Sequence, residues 1–350
     1  MPSSASRPRR PAPTESPATP ADATPAAAVQ PDEAQPEDAQ PEDAQPEDAQ
    51  PEDTQPEDTQ PEDTQPQDAQ PQDAPKRSSK AGRNLPVAIG VGLAMGAVIL
   101  VALLTVRQAW IAIVAVSAVI GTWELFGALH RGAGIRLSRV PVLIGGQAMI
   151  WLAWPFDTEG ILGALLVTVI GCFLWRMRLG AGGFVRDVGA SMLVLCWIPL
   201  CMAFATMLVV PADGAARVLV FLIVVICSDT GGYALGALIG KHPMAPKVSP
   251  KKSWEGFAGS IIAGSTGACL SIALLLDAHW WFGLIVGPLL VATAVTGDLV
   301  ESLIKRDLGI KDMGSVLPGH GGLMERLDSL VTSAPVAWLL LLVLVPLPGT

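Results

Sequence analysis

The sequence predicts an all-α polytopic membrane protein: about nine transmembrane helices with a polar cytoplasm-facing cavity, preceded by a disordered acidic tail. Three observations carry this reading. Half of the 350 residues are apolar and only 16% are charged, yet Gly and Pro number 35 and 30, a mixture foreign to a compact soluble domain. Charge is split along the chain: residues 1–75 hold 18 acids against Arg7, Arg9 and Arg10, whereas 76–350 hold 20 Lys and Arg against 14 acids. Beyond Arg83, apolar runs of bilayer-crossing length follow one another with short polar gaps. The net charge of −9 therefore belongs to the tail, and the part able to fold is mildly basic. An ordinary soluble enzyme is excluded, and no nucleic-acid partner is expected.

The tail comes first, over 1–83. From Gln35 to Ala74 it reads as eight pentapeptides of the form Gln-Pro-Glu/Gln-Asp-Ala/Thr. Regular Pro removes helix hydrogen bonds, like charges repel and nothing apolar is large enough to bury, so a disordered cytoplasmic segment is expected. The opening residues lack the continuous apolar stretch of a cleavable signal peptide, and none is expected.

Nine spans follow, near residues 86–106, 109–129, 140–154, 161–175, 188–210, 217–235, 256–276, 280–300 and 329–347. We divide them into N-terminal transmembrane helices over 84–215 and a C-terminal catalytic region over 216–350. With the N-terminus inside, 21 of the 23 Lys and Arg fall on one face, and only Arg107 and Arg217 on the other. By the positive-inside rule this predicts an integral protein of the cytoplasmic (inner) membrane, with N-terminus and active site cytoplasmic and the C-terminus outside. The five Cys lie within apolar spans without metal or redox spacing and read as small buried hydrophobes.

Two long polar stretches, Gly236 to Glu255 and Gly297 to Asp328, face the same side and gather the acids. Asp229, Glu255, Asp298, Glu301 and Asp328 all sit near the inner ends of spans, where a carboxylate needs a partner, a cation or water. On a helix, Asp298 and Ser302 share a face at i and i+4, as do Glu301 and Lys305, and Glu325 and Asp328 at i and i+3. Oxygen donors from two helices suit an octahedral Mg²⁺ whose shell is completed by phosphate and water. Glu124, lone in the second span, reads as a member of a structural ion pair, and His130, His242 and His279 as ordinary loop residues. Gly240-Lys241 lacks the upstream Gly and following Ser/Thr of a phosphate-binding loop.

The stretch Ser302 to Asp328, SLIKRDLGIKDMGSVLPGHGGLMERLD, closely resembles the signature of the phosphatidate cytidylyltransferase (CDP-diacylglycerol synthase) family. Ser302, Lys305, Arg306, Lys311, Asp312, Gly314, Pro318, His320, Gly321, Gly322, Arg326 and Asp328 each occupy a place in that pattern. Ser249-Pro250-Lys251-Lys252-Ser253-Trp254-Glu255-Gly256, the segment from Asp229 to Gly240, and Gly297-Asp298 through Ser302 resemble its other elements. Glu325 departs from the pattern, which has Asp there.

The resemblance implies an enzyme that transfers CMP from CTP to phosphatidic acid within the lipid bilayer. It also implies Mg²⁺ with a second cation such as K⁺, and a homodimer. Carried over, Asp298, Glu325 and Asp328 hold the metal, while Ser302, Lys305, Arg306, Lys311, His320 and Arg326 hold phosphates. Asp229, Ser249, Lys251, Lys252 and Glu255 bind substrate, and Gly321 and Gly322 let backbone approach it. Two other classes compete: an anionic-solute transporter, whose repeats and midplane site the sequence lacks, and a catalytically impaired scaffold, suggested by Glu325 and the tail.

Overall fold

The computed structural model describes residues 96–314 and 322–347. The tail, the first half of the first span, Pro318, His320 and Gly321 lie outside the described residues. The elements are α1 (Gly96–Thr105), α2 (Arg107–Ala133), α3 (Arg139–Met177), α4 (Phe184–Leu195), α5 (Cys201–Met207) and α6 (Gly214–Ile239), then β1 (Pro243–Ala245) and β2 (Ser249–Ser253), then α7 (Trp254–Leu275), α8 (Gly283–Asp307) and α9 (Met324–Leu344). Pro199 sits in a π-helical turn, Cys196–Leu200, that joins α4 to α5 as one stretch. Among the described residues, seven helical stretches are long and apolar enough to cross a membrane.

Helix α3, 39 residues long, accounts for two predicted spans at once. A Cβ on Gly145 would collide with the Thr168 side chain, and Ser138 Oγ donates to the Cys172 carbonyl. Along a straight helix Gly145 and Thr168 would stand about 34 Å apart. The helix therefore doubles back on itself, and it does so at Asp157 (φ 47°, ψ −136°), just after Pro155. The expected segments 140–154 and 161–175 are the two arms of this hairpin.

At the end of the bundle where α2, α6 and α8 finish and α7 and α9 start, buried ionic ties fasten the loops. Arg176, 1% exposed, donates from Nε to Asp187 Oδ2 at 2.9 Å and from its terminal nitrogens to the carbonyls of Gly180 and Gly182. At this same end the chain departs from a purely helical fold: Pro243 pairs with Ser253 and Ala245 with Ser249 in a two-stranded antiparallel hairpin between α6 and α7. One expectation is corrected here. Only Cys172 is buried, whereas Cys196 is exposed and the other three are intermediate; Cys201 packs against the core and Cys227 Sγ lies against Gly267 of α7.

Candidate active site

Two helices set the acids. Gly297 lies where α8 meets α9: a Cβ there would strike the Asp328 carbonyl oxygen and come within 2.8 Å of Thr332 Cβ. Lacking one, α9 approaches closely, and carboxylate oxygens of Asp298, Glu301 and Asp328 fall within 4.8 Å of one another. Glu301 is 2% exposed; its Oε2 accepts from Lys305 Nζ at 3.1 Å and its Oε1 is buried with no hydrogen-bond donor among the described residues. These acids open on a cavity of about 490 Å³ lined, among the described residues, by six carboxylates (Asp229, Asp298, Glu301, Asp312, Glu325, Asp328) and three cations (Lys252, Lys305, Arg326). Hard oxygen donors, an orphaned carboxylate oxygen and an excess of negative charge together fit a divalent cation of the Mg²⁺ type.

The hairpin brings the opposite charge. The two adjacent lysines of β2 reach different neighbours beyond the cavity wall they share. Lys252 reaches Asp298 Oδ2 at 2.5 Å, while Lys251 borders a second pocket of about 240 Å³. Ser249, Ser302, Lys305, Arg306 and Lys311 line that pocket with it, and Arg306 and Lys311 are exposed. A third cavity, about 330 Å³, lies between α6 and α7, with Asp229, Tyr233, Lys251, Lys252, Phe257 and Ser260 in its wall. Lys252 and Asp298 belong to both the first and the third cavity, and Lys305 to both the first and the second. Carboxylates thus gather on one side and ammonium and guanidinium groups on the other, which is how a metal-bound polyphosphate is held.

The sequence profile of the cytidylyltransferase family matches residues 86–344. The chain belongs to this family. A phosphatidate cytidylyltransferase of Mycobacterium bovis is 47% identical over 280 residues, covering 76% of this chain and 91% of the relative. One from Mycobacterium leprae is 44% identical over 285 residues, covering 77% and 91%. One from Staphylococcus epidermidis is 30% identical over 219 residues, covering 59% and 82%.

In this cytidylyltransferase most residues singled out from sequence line the three cavities, but several have other or further partners. Glu301 completes the acid group with Asp298 and Asp328; its position three residues after Asp298, on the same helical face, was the available signal. Glu325 lines the acid cavity, yet its carboxylate spans two main-chain donors, Met313 N on Oε1 and Gly322 N on Oε2, each at 3.1 Å. Glu255 lines none of the three cavities. Its Oε2 accepts from the backbone N–H groups of Lys241 and His242 at 3.2 Å, and its Oε1 lies 2.5 Å from His242 Nδ1. It ties α7 to the start of the β hairpin, and His242 is its partner rather than an idle loop residue. Ser253 Oγ accepts from Gly256 N at 3.1 Å and so caps α7.

Glu124 also departs from expectation. Instead of an ion pair it makes two backbone contacts, accepting from Leu323 N at 3.1 Å and Met324 N at 2.9 Å. It fills the space beside Gly314 and Gly322, where a Cβ on Gly322 would come within 2.9 Å of Glu124 Oε2.

Proposed function

We propose that this chain transfers CMP from CTP to phosphatidic acid, in keeping with the name of its relatives, with Asp298, Glu301 and Asp328 as the residues that would hold a Mg²⁺ ion. The observation that carries the reading is that Lys305 lines both the acid cavity and the cationic pocket. A Mg²⁺ held by these residues would supply neutralisation of charge on the phosphate oxygens. The six carboxylates facing that cavity support a second cation such as K⁺ beside it.

Ser249, Lys251, Ser302, Lys305, Arg306 and Lys311 hold the β- and γ-phosphates. Tyr233 and Phe257, beside Lys251 and Lys252, offer apolar wall next to cations, the chemistry of a lipid phosphate. A phosphate oxygen of the lipid bonds to the α-phosphorus of CTP as the bond to the bridging oxygen breaks, and pyrophosphate leaves with the electron pair. No protein nucleophile is needed; the side chains position two polyanions in line and offset their repulsion.

The site end of the bundle faces the cytoplasm. Among the described residues, Arg107 and Arg217 are the Lys and Arg at the other end, and this bias supports the orientation. Family membership disfavours the transporter and scaffold readings.

The test is turnover by the purified full chain in detergent, with CTP, phosphatidic acid and Mg²⁺. CDP-diacylglycerol and pyrophosphate should form in equal amounts and stop on chelation. Pyrophosphate release without lipid dependence would overturn the reading. Labelling of a Lys311→Cys variant only from the outer side would overturn the orientation.

A further inference from the structure

Helix α9 brings Glu325, Arg326 and Asp328 to the site but starts without a cap of its own. Its N-cap residue is Leu323, whose side chain accepts nothing. The first N–H groups of a helix have no intrahelical acceptor and carry the positive end of its dipole. Here the acceptor comes from 199 and 200 positions earlier in the chain: the two oxygens of Glu124, 4% exposed, take Leu323 N and Met324 N.

Just under one turn before Glu124 and about two turns after it, the same face of α2 makes further contacts with this region. Gly121 lies against Met324, a Cβ there falling 3.6 Å from its sulfur, and an Arg131 terminal nitrogen donates to the Met313 carbonyl at 3.1 Å. Residues 121, 124 and 131 recur at helical spacing on one stripe.

We infer that Glu124 and Arg131 are positioning residues for nucleotidyl transfer, holding Met313 and the first turn of α9 so that Asp328 meets Asp298 and Glu301. The inference rests on the assignment of that acid group to the reacting centre. Met324 and Asp328 are one helical turn apart, so a shift at the Glu124 contact passes to Asp328 through a single rigid turn. Simple packing would be met by an apolar side chain, without the cost of burying a carboxylate. Glu124 instead supplies charge and two acceptors at a helix start, and Gly314 and Gly322 leave space for both oxygens.

The test compares the parent chain with Glu124→Gln and Arg131→Gln in detergent, reading kcat, KM for CTP, the Mg²⁺ dependence and thermal unfolding. Glu124→Gln keeps one acceptor and loses the charge. Its kcat should fall about a hundredfold, the scale of a displacement near 1 Å, with half-saturating Mg²⁺ raised several-fold and KM for CTP little changed. Arg131→Gln, at an exposed position, should lose about tenfold in kcat with unfolding unaltered. If Glu124→Gln unfolds earlier yet keeps parental kcat and Mg²⁺ dependence, Glu124 is a cap alone and the inference is overturned. If Glu124→Gln does not fold, parental kcat in Arg131→Gln overturns it. A parent chain indifferent to chelator would sink the Mg²⁺ assignment, and the kcat comparison would still decide the role of these two residues.

Discussion

Lys252 reaches from strand β2 to within 2.5 Å of Asp298 Oδ2 on α8, joining the hairpin to the acid group. The side chains are 24% and 38% exposed, so both remain open to the cavities they share. A lysine placed here offsets the repulsion among carboxylates and stands ready for a phosphate oxygen. It also competes with a cation for the same carboxylate.

That competition separates two variants. Asp298→Asn keeps shape but loses a charge that holds the ion, so turnover should fall by about a thousandfold or more, roughly 4 kcal/mol of barrier, and no longer saturate with Mg²⁺. Lys252→Met should lose about a hundredfold through the substrate phosphates, with half-saturating Mg²⁺ unchanged or lower. CDP-diacylglycerol formation across a Mg²⁺ titration reads both. A Lys252→Met enzyme needing more Mg²⁺ would mean that the lysine organises the cation site.

Gly297 sets the spacing between the helices. An added methyl would meet the Asp328 main chain and Thr332, neither of which can move without moving α9. Gly297→Ala should cost about 1 to 3 kcal/mol of stability by overpacking and lower kcat by at least about tenfold as Asp298 and Asp328 separate. Unfolding measured in detergent beside kcat tests the claim. A variant with parental turnover would show that the acids tolerate the wider spacing.

Glu325 offers a choice between two roles. As a metal ligand longer than the family's Asp, it should yield an equal or better enzyme when changed to Asp. As a bridge between Met313 N and Gly322 N it needs its length, because Asp is shorter by about 1.5 Å. The geometry favours the bridge: Glu325→Asp should lose about tenfold and Glu325→Ala about a hundredfold. An Asp variant that equals the parent and needs less Mg²⁺ would restore Glu325 to the ion.

The bundle was legible because apolar length is a local property, and even the α3 hairpin announces itself through Pro155 and Asp157 between two short apolar runs. The acid group was legible in part. Helical spacing links Glu301 to Asp298, but nothing local says that Asp328 lies beside them. The grip of Glu124 and Arg131 on the 313–324 segment could not be read at all, since it joins positions about 180 to 200 apart through main-chain atoms. The β hairpin was hidden too, because Ser249–Ser253 is short, carries two Lys and has none of the alternation that marks a strand.

Arg217 holds the far end of α9 as Glu124 holds the near one. It is 2% exposed, pairs through Nε with Asp213 Oδ1 at 2.9 Å, and donates to the carbonyls of Leu341 (2.7 Å), Val345 (3.3 Å) and Pro346 (3.2 Å). Anion at the start and cation at the end both match the helix dipole. Their consequences should differ, because Leu341 lies about 20 Å along the helix from Asp328. Arg217→Met leaves Asp213 unpaired and the closing carbonyls unmet in a place with little water, and should cost about 3 to 5 kcal/mol of stability. The molecules that remain folded should turn over within about twofold of the parent, since α9 is still fixed at its first turn. Thermal unfolding in detergent, with kcat corrected for the folded fraction, tests this. A tenfold loss of kcat at unchanged unfolding temperature would show that the site feels both ends of α9, and that the Glu124 contact alone does not set the position of Asp328.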